Sequence, residues 1–134
     1  MPEGVIVDAS AMVDLLVGTS RARFVADRLR GRELHAPSHF DAEVLSAIGR
    51  IHRAGHLSAR QGKARLERLA SAPIERHLLA DLVADAWARR HELRLVDGLY
   101  AALADSLGFP IVTTDTGFAA AAPAAELIRG EPEI

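Results

Sequence analysis

The stretch Val5-Ile6-Val7-Asp8-Ala9-Ser10-Ala11 decides the fold class. Three consecutive β-branched residues suit a strand buried on both faces, and the run stops at an aspartate. From Ala9 to Val17 the chain reads as a short helix, closed by Gly18. A buried strand leading straight into a helix is the opening of a parallel β-α-β unit. Two later stretches read in the same way. Arg94-Leu95-Val96 is taken as extended chain ending at Asp97, ahead of an Ala- and Leu-rich helix from Leu99 to Leu107. Ile111-Val112-Thr113-Thr114 is a strand ending at Asp115, with a short helix near Phe118.

The intervening pattern fits the same scheme. Ser20 is placed to cap a helix to about Arg30, with Phe24, Val25 and Leu29 inward. Leu34-His35-Ala36 is a short strand stopped by Pro37. Ser38 opens a helix with Asp41 in a capping-box position and the stripe Phe40, Val44, Ala47, Ile48 and Ile51. Ser58 with Gln61 is a second capping box, starting a basic helix to about Leu69. Beyond Pro73, Ile74-Glu75-Arg76 is a connector or small strand. Leu78 to Arg90 reads as one helix, with Leu82, Ala86 and Trp87 on its apolar face. Glu126-Leu127-Ile128 fits an edge strand. Short strands alternating with helices predict an α/β fold with a central, mainly parallel sheet, in one domain over residues 1–134.

Composition removes several classes of function. The 134 residues are 49% hydrophobic and 25% charged, a globular balance. With no cysteine there is no disulfide scaffold, thiolate zinc site or cysteine nucleophile. Met1-Pro2-Glu3-Gly4 has no signal-peptide character, and no apolar run reaches a membrane span, so a cytoplasmic protein with no membrane partner is expected. The net charge of −2 hides segregation: Arg50, Arg53, Arg60, Lys63, Arg65 and Arg68 meet one acid, Glu67. Of 16 cations 15 are arginine, which suits bidentate phosphate contact as well as ordinary solvated helix faces. The six histidines form no ligand motif and are expected at the surface or hydrogen-bonded.

The chemistry lies in the acids. Ligands bind beyond the carboxyl ends of parallel strands, so Asp8, Asp97 and Asp115 are expected to converge there. Glu43 borders the apolar stripe of its helix and points towards the sheet. Four clustered carboxylates repel one another and call for a cation. Hard oxygen donors favour Mg²⁺, with Mn²⁺ open, over zinc. Such a centre suits hydrolysis of a phosphodiester.

Val7-Asp8-Ala9-Ser10-Ala11, Glu43, Val96-Asp97-Gly98-Leu99-Tyr100-Ala101-Ala102-Leu103-Ala104 and Ile111-Val112-Thr113-Thr114-Asp115 together resemble a PIN-domain ribonuclease of the VapC type. The resemblance covers essentially the whole chain. It implies a three-layer α/β/α fold and a Mg²⁺-dependent endoribonuclease that is the toxin of a toxin–antitoxin pair. Asp8, Glu43, Asp97 and Asp115 then carry over as catalytic and metal-binding residues. Ser10 and Thr113 match small polar positions of the family. RNA, a cognate antitoxin and a second copy of the chain follow as partners. Thr116-Gly117 departs from relatives that often carry a basic residue there. Two rival readings are a phospho-accepting receiver-like domain and a catalytically silent module holding a structural cation. The receiver normally needs a late lysine, and the one lysine, Lys63, lies in the wrong segment.

Overall fold

The computed structural model describes residues 2–131; Met1 and residues 132–134 lie outside the description. Five strands, β1 (Gly4–Val7), β2 (Glu33–Pro37), β3 (Ile74–His77), β4 (Ile111–Thr113) and β5 (Ala125–Leu127), form one sheet in the order β3-β2-β1-β4-β5. Every pairing is parallel. The central strand β1 is fully buried, as its β-branched run predicts.

Alternation along β1 divides the core. Val5 and Val7 face helices α1 (Ala9–Val17), α2 (Ala22–Leu29), α3 (Phe40–Arg53) and α4 (Ala59–Ser71), packing with Met12, Val25, Phe40, Val44 and Ile48. Ile6 and Ile111 face the other way, onto α6 (Leu95–Leu107) and α7 (Thr116–Ala121), among Tyr100, Leu103 and Phe118. The result is the expected three-layer α/β/α arrangement.

Three local expectations are corrected. Arg94-Leu95-Val96 is not a strand: α6 already begins at Leu95, so Asp97 stands in its first turn. Leu95 and Val96 are half-exposed, with no sheet neighbour to make them extended. Gly98 is where this helix touches α5 (Val83–Ala88): a Cβ there would sit 3.2 Å from the Ala86 carbonyl oxygen. The single helix from Leu78 to Arg90 is instead a 3-10 turn, Leu79–Asp81, followed by the short α5. Trp87 is exposed rather than on a buried face, as are its neighbours Leu78 and Val83. Finally, neither Ser38 nor Ser20 caps a helix; the N-cap residues are His39 and Arg21, and no side chain closes either start. Asp41 instead accepts Arg76 Nε at 3.1 Å and Nη2 at 3.0 Å, tying α3 to β3. The Ser58–Gln61 capping box is present in both directions, and Ile74–His77 is a true strand.

Candidate active site

The chain runs from β1 outward through β2 to β3 and then returns to the other side of β1 for β4. The crevice beyond the carboxyl ends of β1 and β4 is therefore the topological switch point of the sheet. Asp8 follows β1 and Asp115 follows β4. Glu43 lies in the first turn of α3 and Asp97 in the first turn of α6. All four line one cavity of 370 Å³, together with Arg94 and Asp14. Each carboxylate stands at the amino end of a helix, where the backbone dipole favours negative charge by about 0.3–1 kcal/mol. A larger cavity of 510 Å³ between α3 and α4 is walled mainly by Leu45, Ile48, Leu66 and alanines, and offers no convergent acids.

Asp8 is 6% exposed. It is the N-cap residue of α1, yet its side chain does not cap the helix. Its Oδ2 accepts the hydroxyls of Ser10 and Thr113, each at 2.7 Å. Ser10 also accepts the Thr114 N–H at 3.1 Å, and Thr113 accepts the Asp115 N–H at 3.0 Å, so the two hydroxyls bind β1, α1 and β4 together. Burial pushes the Asp8 carboxyl above its ordinary 3.8; the two hydroxyls oppose this, and Glu43 and Asp97 add to it. Glu43 is also raised, first by burial and then by Asp97, against the Tyr100 hydrogen bond and Arg94. Asp97 Oδ2 accepts Arg94 Nε at 3.0 Å. Asp115 does cap α7, its Oδ1 accepting the Phe118 N–H at 3.1 Å, while Oδ2 lies 4.0 Å from Arg94.

Three participants escape a sequence reading. Tyr100 is fully buried, donates to Glu43 Oε1 at 2.6 Å and accepts the Ala9 N–H at 3.3 Å. Its one signal was position: three residues after Asp97, on the same helical face. Burial and the neighbouring Asp8 and Glu43 hold its phenol protonated. Arg94 puts a cation beside Asp115 from another helix, where Thr116-Gly117 supplies none. His39 is largely buried rather than at the surface. Its ring lies beside the Val96 backbone, and its Nε2 is 3.3 Å from Glu43 Oε1. The ring stands edge-on to Tyr100 at 5.0 Å, and burial lowers its pKa towards the neutral form.

The hydroxyl of Thr113 gives a direct test of this assembly. Thr113→Val keeps the side-chain shape but removes a donor to a buried carboxylate. Such bonds contribute about 1.5–3 kcal/mol, and a loss of that order in unfolding free energy is expected at pH 7. The loss should shrink as the pH falls and Asp8 takes up its proton. Urea midpoints at pH 7 and pH 4 measure it; an equal loss at both would place the cost in packing.

The donor set fits a hard divalent cation. Both hydroxyl bonds to Asp8 land on Oδ2, leaving Oδ1 for the cleft, and Asp97 and Asp115 each turn an oxygen towards Arg94. Four carboxylates and Asp14 share the cleft with Arg94 and Arg50, and Asp97 adds to the burial that raises Asp8 and Glu43. The PIN-domain family profile matches residues 5–123, the span that holds all four acids. The chain belongs to the PIN-domain family. Among curated relatives, Ribonuclease VapC3 of Mycobacterium tuberculosis (strain ATCC 25618 / H37Rv) is 53% identical over 128 residues, 95% of this chain and 93% of the relative. Ribonuclease VapC12 of the same strain is 38% identical over 111 residues, 83% of this chain and 86% of the relative. This PIN domain is thus of the VapC type. A toxin–antitoxin complex from Klebsiella pneumoniae shares the fold, with a TM-score of 0.70 at 18% identity over 95% of this chain and 99% of that one.

Proposed function

We propose that this PIN domain is a Mg²⁺-dependent endoribonuclease and the toxin of a toxin–antitoxin pair. The observation that carries the reading is the meeting of four carboxylates from four helices in one cleft at the sheet's switch point. Asp8 and Asp97 are the direct ligands, followed by Asp115 through Oδ2. Glu43, held by Tyr100, acts through a water. Mg²⁺ suits this all-oxygen set and Mn²⁺ is its natural substitute. When bound, the ion supplies an activated water and neutralises charge on the phosphoryl and leaving oxygens. Ser10 and Thr113 fix the Asp8 carboxylate, and Arg94 at the cleft mouth offers a cation to the phosphate.

The VapC relatives are named ribonucleases, and the Klebsiella structure is a toxin–antitoxin complex. A cognate antitoxin and RNA are accordingly the proposed partners. A homodimer is proposed with them, supported by the exposed apolar patch of Val83, Trp87, Leu95 and Val96. A cytoplasmic location completes the reading; among the described residues no helix is long and apolar enough to cross a membrane. A receiver-like role is disfavoured, since Lys63 is exposed on α4 beside Glu67 and does not line the cleft.

Product ends test the chemistry. Single-stranded RNA cut by the purified protein should carry 5′-phosphate and 3′-hydroxyl ends, because the nucleophile is water. Fragments ending in 2′,3′-cyclic phosphate would mean attack by the ribose hydroxyl and would overturn the proposal.

The exposed cations Arg53, Arg60 and Lys63 give a second expected result. If they neutralise RNA phosphates, each contributes about 0.7 to the log–log salt slope of single-strand binding. Replacing two of them with Ala should flatten that slope by about 1–1.5 without moving the cut sites. An unchanged slope with loss of the dimer in sedimentation would assign them to assembly.

A further inference from the structure

Strands β2 and β3 carry a second group of ligating side chains, distinct from the four carboxylates. The parallel register sets His35 beside Glu75 and Pro37 beside His77. Glu75 and His77 are two residues apart on one strand and so share a face with His35. Leu34 and Ala36 belong to the core under α1–α4, which sends His35 to the opposite face, where its ring lies 5.3 Å from that of Phe109. His35 is only 3% exposed.

The polar contacts around His35 are close. Its Nε2 lies 2.7 Å from Glu33 Oε1. Its Nδ1 lies 2.9 Å from His77 Nε2 and 3.4 Å from Glu75 Oε2. One ligating atom from each of His35, Glu75 and His77 falls within 4.8 Å of the others.

The carboxylate of Glu33 fixes the tautomer. It accepts the Nε2–H of His35, so the Nδ1 lone pair faces His77 and Glu75. This is the arrangement in which a carboxylate orients a metal-ligating imidazole from behind. With metal–nitrogen bonds of about 2.0–2.1 Å and metal–oxygen bonds of about 2.0–2.2 Å, two donors at octahedral to tetrahedral angles stand about 2.9–3.5 Å apart. Both measured separations from Nδ1 lie in that range. Two imidazoles with one carboxylate suit a borderline first-row ion rather than Mg²⁺, and Glu33 and Glu75 together balance its charge. His77 is half-buried and Glu75 is exposed, so the remaining coordination positions open to water.

We propose that His35, Glu75 and His77 bind one divalent first-row cation of the Zn²⁺ class, with Glu33 as the orienting carboxylate. The ion would pin the edge strand β3 to β2. The His77 carbonyl accepts the Ser38 N–H at 2.8 Å, and His39 next in the chain packs on Tyr100, so the pinned strand adjoins the wall of the cleft.

The test uses untagged full-length protein carrying Asp8→Asn and Asp97→Asn, which disables the carboxylate cleft and keeps this site apart from the proposed nuclease centre. Co²⁺ is followed by its visible absorption and Zn²⁺ by calorimetry. One equivalent of each should bind, with millimolar Mg²⁺ unable to displace it. Glu33→Gln should weaken binding about 10–100-fold. His77→Ala should weaken it further, as should the exposed Glu75→Gln, whose fold is checked by circular dichroism. Failure of Co²⁺ and Zn²⁺ to bind the cleft-disabled protein, or unchanged binding in folded Glu75→Gln and His77→Ala, would overturn the site.

Discussion

Asp8→Asn and Asp97→Asn should each lower RNA cleavage by at least about a hundredfold, the upper end of what loss of a mere supporting partner costs a metal site. Neither change should unfold the protein. The Asp8 carboxyl titrates above its ordinary 3.8, so the folded state holds that proton more tightly than the unfolded chain does. Its protonated form stabilises the fold below pH 3.8, and that stabilisation is lost as the pH rises through the folded-state value. Above it the metal-free wild type carries an ionised carboxylate that burial and two neighbouring acids disfavour. Asp8→Asn removes that charge and keeps an oxygen for Ser10 and Thr113. Metal-free Asp8→Asn should therefore melt no lower than wild type at pH 7, and its advantage should shrink towards pH 4. Cleavage kinetics and melting curves across that range check both halves. A variant that cuts RNA at near wild-type rate in clean Mg²⁺ would remove Asp8 or Asp97 from the centre.

Chelation should abolish cleavage altogether, and added Mg²⁺ or Mn²⁺ should restore it. An ion that binds only the folded protein stabilises it by about 2.7 kcal/mol at a hundred times its Kd, which is roughly 10 °C of melting temperature for a domain of this size. The Asp8→Asn and Asp97→Asn double variant should lose that Mg²⁺-dependent rise. Activity that survives EDTA, or returns with Zn²⁺ alone, would contradict the hard-oxygen centre and leave the cleft without its proposed ion.

A residue pattern is legible in the sequence where it has one physical outcome. A β-branched run with no polar residue, Val5-Ile6-Val7, has nowhere to go but the centre of the sheet. The Ser58–Gln61 pair forms the capping box its spacing predicts. Arg94-Leu95-Val96 failed because three residues cannot separate a strand from the first turn of a helix. Asp97 still reached the cleft, because α6 runs back across the sheet and begins at the carboxyl edge of the strands. Trp87 failed because helical periodicity finds an apolar face but not its partner; α5 meets α6 through Ala86, against Gly98, and leaves that ring exposed. Tyr100 and His39 stayed hidden for a further reason. Their roles come from contacts across 57 positions, Tyr100 to Glu43, and between separate helices, His39 against Tyr100. No local pattern encodes such pairs.

The pairing of β1 with β4 also orders events while the chain is being made. The bond from Thr113 to Asp8 closes a separation of 105 residues. At synthesis rates of about 5–20 residues per second, that interval lasts on the order of 5–20 s. For most of it β1 has β2 to pair with but one edge open, and the acids join one at a time, Glu43 after Asp8 and Asp97 near the end. Closing so long a separation carries a loop-closure entropy that slows its formation. On the proposed reading, a ribosome making this nuclease holds a chain that cannot cut RNA until β4 has been laid beside β1.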